Sequence, residues 1–155
     1  KNGTCPEEVA DAIAKIRTIS GFAEIKEEKI DLSSIIYAVK PGDGSAREQA
    51  ASCQRVLLGG ANIAKEYATK RYRSNLINWG MVPFVTVSAP DFADDDYIFV
   101  PNIREALEGS MVNIPAYVLG ETIKPLTLAI APLTKEEKDI IRAGSLINYN
   151  RMLKK

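Results

Sequence analysis

The chain has 155 residues, 46% of them hydrophobic, and equal numbers of basic and acidic side chains, 20 of each. This length and composition predict one globular domain. The zero net charge argues against a protein that coats nucleic acid or a membrane surface. Because the sequence contains no histidine, the chain cannot supply Ser-His-Asp or Cys-His catalysis, or histidine-ligated metal sites.

The two cysteines, Cys5 and Cys53, do not form a Cys-x-x-Cys pair, so the chain alone is not expected to ligate an iron–sulfur cluster or a structural zinc. We interpret them as free thiols of a cytoplasmic protein, with one disulfide as the alternative. Residues 1–8 are polar and unlike a signal peptide, and no apolar run reaches the roughly 18–20 residues of a membrane span. A start at Lys1 favours a piece of a longer protein over a processed chain or a removed tag.

Apolar spacing and turn residues predict an alternation of helices and strands along the chain. The predicted helices are residues 7–17, 45–58, 66–79, 134–141 and 146–155. The predicted strands are residues 30–39, 61–64, 82–87, 97–100, 115–119 and 126–130, the first of them buried. Between residues 30 and 87 the order strand, helix, strand, helix, strand is typical of crossover units on a parallel sheet, which indicates the α/β class.

The most informative stretch is residues 42–51, with the sequence GDGSAREQAA, which follows the first strand. Ser45 and Glu48 have the spacing of a capping box, so a purely structural role is one interpretation. The other interpretation is chemical, since a serine at a helix N-terminus faces unpaired amides that favour its alkoxide. Arg47 can grip a carboxylate with two hydrogen bonds. A base beside a carboxylate clamp suits abstraction of a proton next to a carboxylate.

Residues 42–51, followed by LGGANIAKEYATKRYRSNLINWGMVPF over residues 58–84, resemble the C-terminal swivelling domain of aconitase-like hydratases. That superfamily includes the small subunit of isopropylmalate isomerase. Residues 141–148 (IRAGSLIN) also resemble the end of the aconitase chain. Clear resemblance covers residues 39–87 and 133–152. The positions that fit the family pattern after the glycine-rich loop are Ser74, Asn75, Leu76 and Gly80 through Phe84.

The resemblance implies a three-layer β/β/α swivelling domain in a hydro-lyase that dehydrates and rehydrates hydroxy-di- or tricarboxylic acids. It implies that Ser45 abstracts the proton, that Arg47 binds a substrate carboxylate, and that Gly44 and Ala46 contribute to substrate binding. A 4Fe–4S cluster, held by three cysteines on other domains, would act as the Lewis acid. Those domains and a small hydroxy acid are the expected partners, and the isolated chain is not expected to be active.

Three departures from the family pattern leave alternatives open. Ala46 replaces the second serine of the motif, and Gln49 replaces its histidine. A further substrate-binding arginine upstream of the loop has no clear match, Arg17 being the nearest candidate. The chain is alternatively a non-catalytic relative that binds a carboxylate or a protein partner. An isopropylmalate isomerase small subunit is a less favoured alternative.

Three other features have structural interpretations that we favour. The helix over residues 66–79 is locally basic with interleaved aromatics, so it is either an RNA-contacting face or, as we expect, a solvated basic face over buried aromatics. Cys53 and Trp79 are expected to be buried. The acidic connector 91–96 lacks the ligand pattern of a calcium loop. The basic and aromatic residues in and next to the predicted helix 66–79 are Lys65, Lys70, Arg71, Arg73, Tyr67, Tyr72 and Trp79.

Overall fold

The structure, a computed structural model, describes residues 6–86 and 91–154 and is of the mixed α/β class. The helices are α1 (Glu7–Thr18), α2 (Arg47–Val56), α3 (Lys70–Asn78), α4 (Ile103–Glu108), α5 (Lys135–Ala143) and α6 (Leu146–Leu153). The strands are β1 (Ser34–Ala38), β2 (Gly59–Ala64), β3 (Val82–Val85), β4 (Tyr97–Phe99), β5 (Ile114–Leu119) and β6 (Ile123–Ile130). Cys5 and the predicted strand end at residue 87 lie outside the described residues.

The strands belong to a six-stranded sheet with the order β1-β2-β3-β6-β5-β4. β1 pairs with β2 and β2 with β3, both in parallel, and helices α2 and α3 connect them, so the predicted crossover units are confirmed. β6 pairs antiparallel with β3 and is longer than the predicted strand 126–130. Because β1, β2 and β3 run in one direction, their carboxyl ends and the loops that follow lie at one edge of the sheet.

Contacts within the chain divide it into two compact units. The first comprises Lys1–Asp31, Asp91–Pro101 and Pro115–Leu126, with described residues from Pro6 onward. Its buried cluster is Ala12, Ile16 and Leu119, and half-buried aromatics pack against this cluster. The ring of Phe22 meets that of Phe99 edge-on, with 5.2 Å between centroids.

The second unit comprises Leu32–Pro90, Asn102–Ile114 and Thr127–Lys155, and its described residues contain the parallel strands. Its buried cluster is Ala51, Tyr72, Leu76 and Met81, with Tyr67 and Trp79 packed at the margin. Trp79 is therefore half-buried, where a fully buried core residue was expected.

Gly80 brings two segments of the second unit together. It has φ +72°, and a Cβ placed on it would lie 2.2 Å from the carbonyl oxygen of Gly144. Only glycine fits both the backbone conformation and this contact. The Gly80 turn, which carries part of the family-like motif, therefore packs directly on the similar C-terminal stretch.

Two predictions about burial are wrong. β1 is an edge strand of the sheet and is partly exposed, with Ile36 40% accessible, because helices α2 and α3 pack over its neighbours. Cys53 is exposed on α2 and does not pack in the core. The structure also contains the six-residue helix α4 and a short 3-10 helix at Glu27–Lys29, neither of which was predicted.

The capping box predicted for the helix after residue 133 is confirmed. The Thr134 hydroxyl accepts from the Glu137 amide at 3.2 Å, and the Glu137 carboxylate accepts from the Thr134 amide at 2.7 Å. The last helix, α6, begins after Ser145, whose hydroxyl accepts from the Asn148 amide at 3.1 Å. Within the two described ranges, no helix has the length and apolar character needed to cross a bilayer.

Candidate functional site

The glycine-rich loop lies between β1 and α2, at the carboxyl end of β1. Its first half is paired with the segment that follows β2. The Glu66 amide donates to the Val39 carbonyl at 3.1 Å, and the Ala68 amide donates to the Pro41 carbonyl at 2.9 Å. An ion pair between Lys40 and Glu66, 2.9 Å apart, adds to these bonds and raises the pKa of the lysine. The backbone up to Pro41 is thus held by its neighbour along the sheet edge.

This pairing changes the predicted helix over residues 66–79. Residues 66–69 bond to the loop instead of forming a helical turn, so α3 starts at Lys70. Thr69 is its N-cap, and the hydroxyl of Thr69 accepts from the Tyr72 amide at 3.2 Å.

Gly42 is the turning point of the loop. Its φ is +98°, and a Cβ at this position would lie 2.5 Å from the Cβ of Tyr72. Its carbonyl accepts two hydrogen bonds, from Nε of Arg47 at 3.1 Å and from the hydroxyl of Thr69 at 3.2 Å. The loop therefore joins the first turn of α2 to the first turn of α3 through one carbonyl oxygen.

The Ser45–Glu48 capping box, one of the two interpretations of this loop, does not form. Helix α2 begins at Arg47, and its N-cap is Ala46, which has no side chain able to cap. The Glu48 carboxylate instead accepts from the indole N–H of Trp79 at 2.7 Å. The half-buried indole is a donor that needs an acceptor, and a charged acceptor gives the stronger bond. The hydroxyl of Ser45 is exposed and is left without the capping role.

The four residues expected to act on substrate, Gly44 through Arg47, lie together where the loop enters α2. Gly44, Ser45 and Ala46 are exposed, and Arg47 is half-buried. Arg47 donates from Nε to the Gly42 carbonyl, and this bond does not use its two terminal nitrogens. The first amides of α2 have no side-chain cap, and they add the positive end of the helix dipole to the charge of Arg47.

Gln49 and Arg17, the two other residues compared with the motif of the resembled family, lie in different units of the chain. Gln49 is exposed in the first turn of α2. Arg17, the candidate for the additional arginine, belongs to the first unit and pairs with Glu27 at 3.6 Å.

Tyr72 and Thr69 support the loop, and the sequence analysis did not assign them to the site. The Tyr72 hydroxyl accepts from Gln54 at 2.8 Å and from Asn62 at 3.1 Å, which fixes the ring under Gly42. A threonine before a run of helix-favouring residues is a recognisable cap signal for Thr69. No local pattern signals its second bond, to Gly42, which lies 27 residues away.

The two tyrosines of the predicted basic helix, Tyr72 on α3 and Tyr67 just before it, are turned inward. Tyr72 is 3% exposed, and the Tyr67 hydroxyl donates to the Phe84 carbonyl at 2.9 Å. Burial raises the pKa of Tyr67 well above its ordinary value. These two rings are therefore not placed for stacking on nucleic-acid bases. This agrees with the expectation that the aromatic residues of this segment are buried.

Among the residues that the structure describes, no group of three or more cysteine, aspartate or glutamate side chains is arranged to hold a metal ion. In the acidic connector, Asp96 accepts a hydrogen bond from the Ala93 amide at 2.8 Å. The described part of this chain thus does not present a ligand set for an iron–sulfur cluster.

A cavity of about 310 Å³ borders the carboxyl ends of β2 and β3. These strand ends are at the same edge of the sheet as the Ser45 loop. The lining is mostly apolar, with Lys65 as its charged residue. Its other lining residues are Val85, Thr86, Val112, Asn113, Thr127, Leu128 and Ala129.

Comparison of the chain with models of known protein families and with curated proteins gives no match.

Proposed function

We propose that the chain is the swivelling domain of an aconitase-like hydro-lyase, which supplies a base and a carboxylate-binding arginine to the dehydration and hydration of a hydroxy-di- or tricarboxylic acid. Ser45 is the base, and Arg47 binds a carboxylate beside the reacting carbon, with Gly44 and Ala46 forming the backbone wall between them. The proposal includes a cytoplasmic location and a partner surface on the domains that carry a 4Fe–4S cluster. That cluster, outside this chain, would supply Lewis acidity.

The observation that carries the proposal is that Ser45 does not cap α2. A structural explanation of the loop sequence requires a Ser45–Glu48 capping box, and Glu48 is bound to Trp79 instead. An exposed serine then lies beside an arginine at an uncapped helix N-terminus. This arrangement suits binding of an anion and stabilisation of a serine alkoxide.

The chemistry assigned to these residues follows from their positions. Arg47 and the first amides of α2 attract the substrate carboxylate and fix its direction. Ser45 enters the step as the alkoxide, and its oxygen takes the proton from the carbon next to that carboxylate, which leaves the serine hydroxyl. A closed, water-excluding site strengthens the fields of the arginine and the helix dipole. A base placed in this way typically contributes about 10²–10⁴-fold in rate.

The second candidate is a non-catalytic relative that binds a carboxylate or a protein partner. Ala46 and Gln49 favour it, since both replace polar residues of the family motif at the loop. Ala46 is the N-cap of α2, where serine would provide a capping oxygen and a hydroxyl toward the substrate. This candidate retains the anion-binding role of Arg47 and omits the base function of Ser45.

Turnover tests the proposal. The protein that contains this chain is reconstituted anaerobically with iron and sulfide, and alkene formation from citrate, isocitrate, isopropylmalate and related hydroxy acids is followed by ultraviolet absorbance. Ser45→Ala is expected to abolish turnover of the accepted acid. Ser52→Ala is the matched control because Ser52 lies on the same helix and bonds only to the Gln49 carbonyl, at 3.2 Å.

Arg47→Lys, compared with Arg55→Lys, tests the carboxylate clamp. Both arginines lie on α2 and donate to a glycine carbonyl, Arg55 to Gly59 at 2.8 Å. Only Arg47→Lys is expected to raise KM, because lysine cannot make the two-pronged grip. Binding of the acids without turnover would favour the non-catalytic relative, and absence of both would overturn the proposal.

A further inference from the structure

We infer that Thr69 is a positioning residue that sets the direction of the Arg47 guanidinium through the Gly42 carbonyl. The consequence for substrate rests on the proposed function, since it takes Arg47 as the carboxylate ligand. The contacts that join Thr69 to Arg47 through Gly42 do not depend on that function. It makes the first turn of α3 part of the site, although α3 carries none of the residues that contact substrate in the proposal.

The Gly42 carbonyl needs an external donor to fix its direction. Glycine allows a wide range of backbone angles, so the peptide after Gly42 is not held by a side chain of its own. The bonds at Val39 and Pro41 hold the loop only up to the residue before Gly42. Thr69 supplies the next constraint, since its hydroxyl donates to the Gly42 carbonyl at 3.2 Å.

The Thr69 hydroxyl makes two hydrogen bonds, one as an acceptor and one as a donor. Its oxygen accepts from the Tyr72 amide at 3.2 Å, and this bond leaves its single proton for the Gly42 carbonyl. Tyr72 is 3% exposed and packs against Gly42, so the donor side of the contact is rigid. The same carbonyl accepts from Arg47 Nε at 3.1 Å. The direction of Arg47 is therefore coupled to the N-cap of α3, which is half-buried.

The test separates this role from the capping role that Thr69 also has. Thr69→Val removes both bonds, and Thr69→Ser keeps both. Thr69→Asp keeps an acceptor for the Tyr72 amide and, being ionised, cannot donate to Gly42. Thr134→Val is the control for loss of a cap alone, because Thr134 accepts the equivalent bond from Glu137 at 3.2 Å on α5.

The first readout is the ¹⁵N–¹H resonance of Arg47 Nε and its hydrogen-exchange rate in the 155-residue chain without ligand. Thr69→Val and Thr69→Asp are expected to shift this resonance, and Thr69→Val to speed its exchange. Thr69→Ser and Thr134→Val are expected to leave both parental. A parental Arg47 resonance in Thr69→Asp would overturn the inference, even where Thr69→Val fails to fold.

The second readout is the split between KM and kcat in the reconstituted protein. Thr69→Val, which adds no charge beside Arg47, is expected to raise KM about five- to tenfold, the effect of losing roughly one hydrogen bond, and to keep kcat near the parental value, whereas Thr69→Ser and Thr134→Val should keep the parental KM. A changed kcat with parental KM would contradict a role through Arg47. If no acid is turned over by the parent, the proposed function fails, and the Arg47 resonance still decides the positional claim.

Discussion

Replacement of Gly42 by alanine tests whether the loop has the conformation described. Two features of the structure oppose a side chain there. The backbone has φ +98°, and the added Cβ would lie 2.5 to 2.7 Å from three atoms of Tyr72. Gly44, two residues on in the same loop, has no positive φ, and a Cβ there meets nothing within 4 Å. The two alanine variants therefore make the same chemical change in opposite environments.

The expected difference is large. A non-glycine residue in a sparsely populated backbone region costs about 1–3 kcal/mol. Overpacking against a buried side chain costs about 1–3 kcal/mol more. Gly42→Ala is thus expected to lower the free energy of unfolding by about 2–6 kcal/mol, a substantial part of a total of about 5–15 kcal/mol. Gly44→Ala is expected to raise it by roughly 0.4–1 kcal/mol, because alanine restricts the unfolded chain.

Urea unfolding measures both variants. Trp79, the single tryptophan, packs against the buried cluster that contains Tyr72 and provides the fluorescence signal. With a slope of about 2 kcal/mol per molar urea, the middle of the usual range, the Gly42→Ala midpoint should fall by about 1–3 M. The Gly44→Ala midpoint should stay level or rise. Equal midpoints for the two variants would refute the described loop conformation and its contact with Tyr72.

Three further predictions concern the second unit. Leu57 and Leu58 are both 73% exposed, and of the two only Leu58 has a positive φ, 63°. In urea unfolding, Leu58→Gly should therefore be about 1–2 kcal/mol more stable than Leu57→Gly, and equal stabilities would contradict the backbone strain at Leu58. Burial raises the pKa of Tyr67 above its unfolded value of about 10. The contribution of Tyr67 to the free energy of unfolding should therefore be complete below about pH 10 and should fall as the pH rises above it. Tyr67→Phe should flatten this fall, and an unchanged dependence of the free energy on pH would exclude Tyr67 as its source. A double-mutant cycle of Glu48→Ala and Trp79→Phe should give a coupling energy of about 0.5–1.5 kcal/mol, and zero coupling would exclude the Glu48–Trp79 bond.

Local patterns in the sequence predicted those parts of the fold that depend on local contacts. The crossover units follow from apolar runs separated by glycine-rich turns, and the structure has them. The capping box at Thr134 and Glu137 forms because both partners lie in one turn and no distant group competes for them. Ser45 and Glu48 have the same spacing, but Trp79, 31 residues from Glu48, takes the carboxylate. The sequence contains no local sign of that competition.

Non-local contacts also explain the other differences. Residues 66–69 have helical composition, but the amides of Glu66 and Ala68 bond instead to the loop, at Val39 and Pro41. Ile36 looks like a core residue by its neighbours in sequence, and its exposure depends on β1 being at the edge of the sheet. Ser45 and Arg47 could be singled out as candidate site residues because they lie two positions apart in one motif. The support of their loop at Thr69 could not, because that contact exists only after β1 and β2 pair.

Proton exchange at the substrate carbon tests the central claim most directly. The reconstituted protein is incubated with its accepted acid in deuterated water, and deuterium incorporation beside the carboxylate is followed by NMR. If Ser45 is the base, Ser45→Ala should lower the exchange rate by about 10²–10⁴-fold, whereas Ser52→Ala should retain the parental rate. Exchange at the parental rate in Ser45→Ala would contradict the assignment of Ser45 as the base.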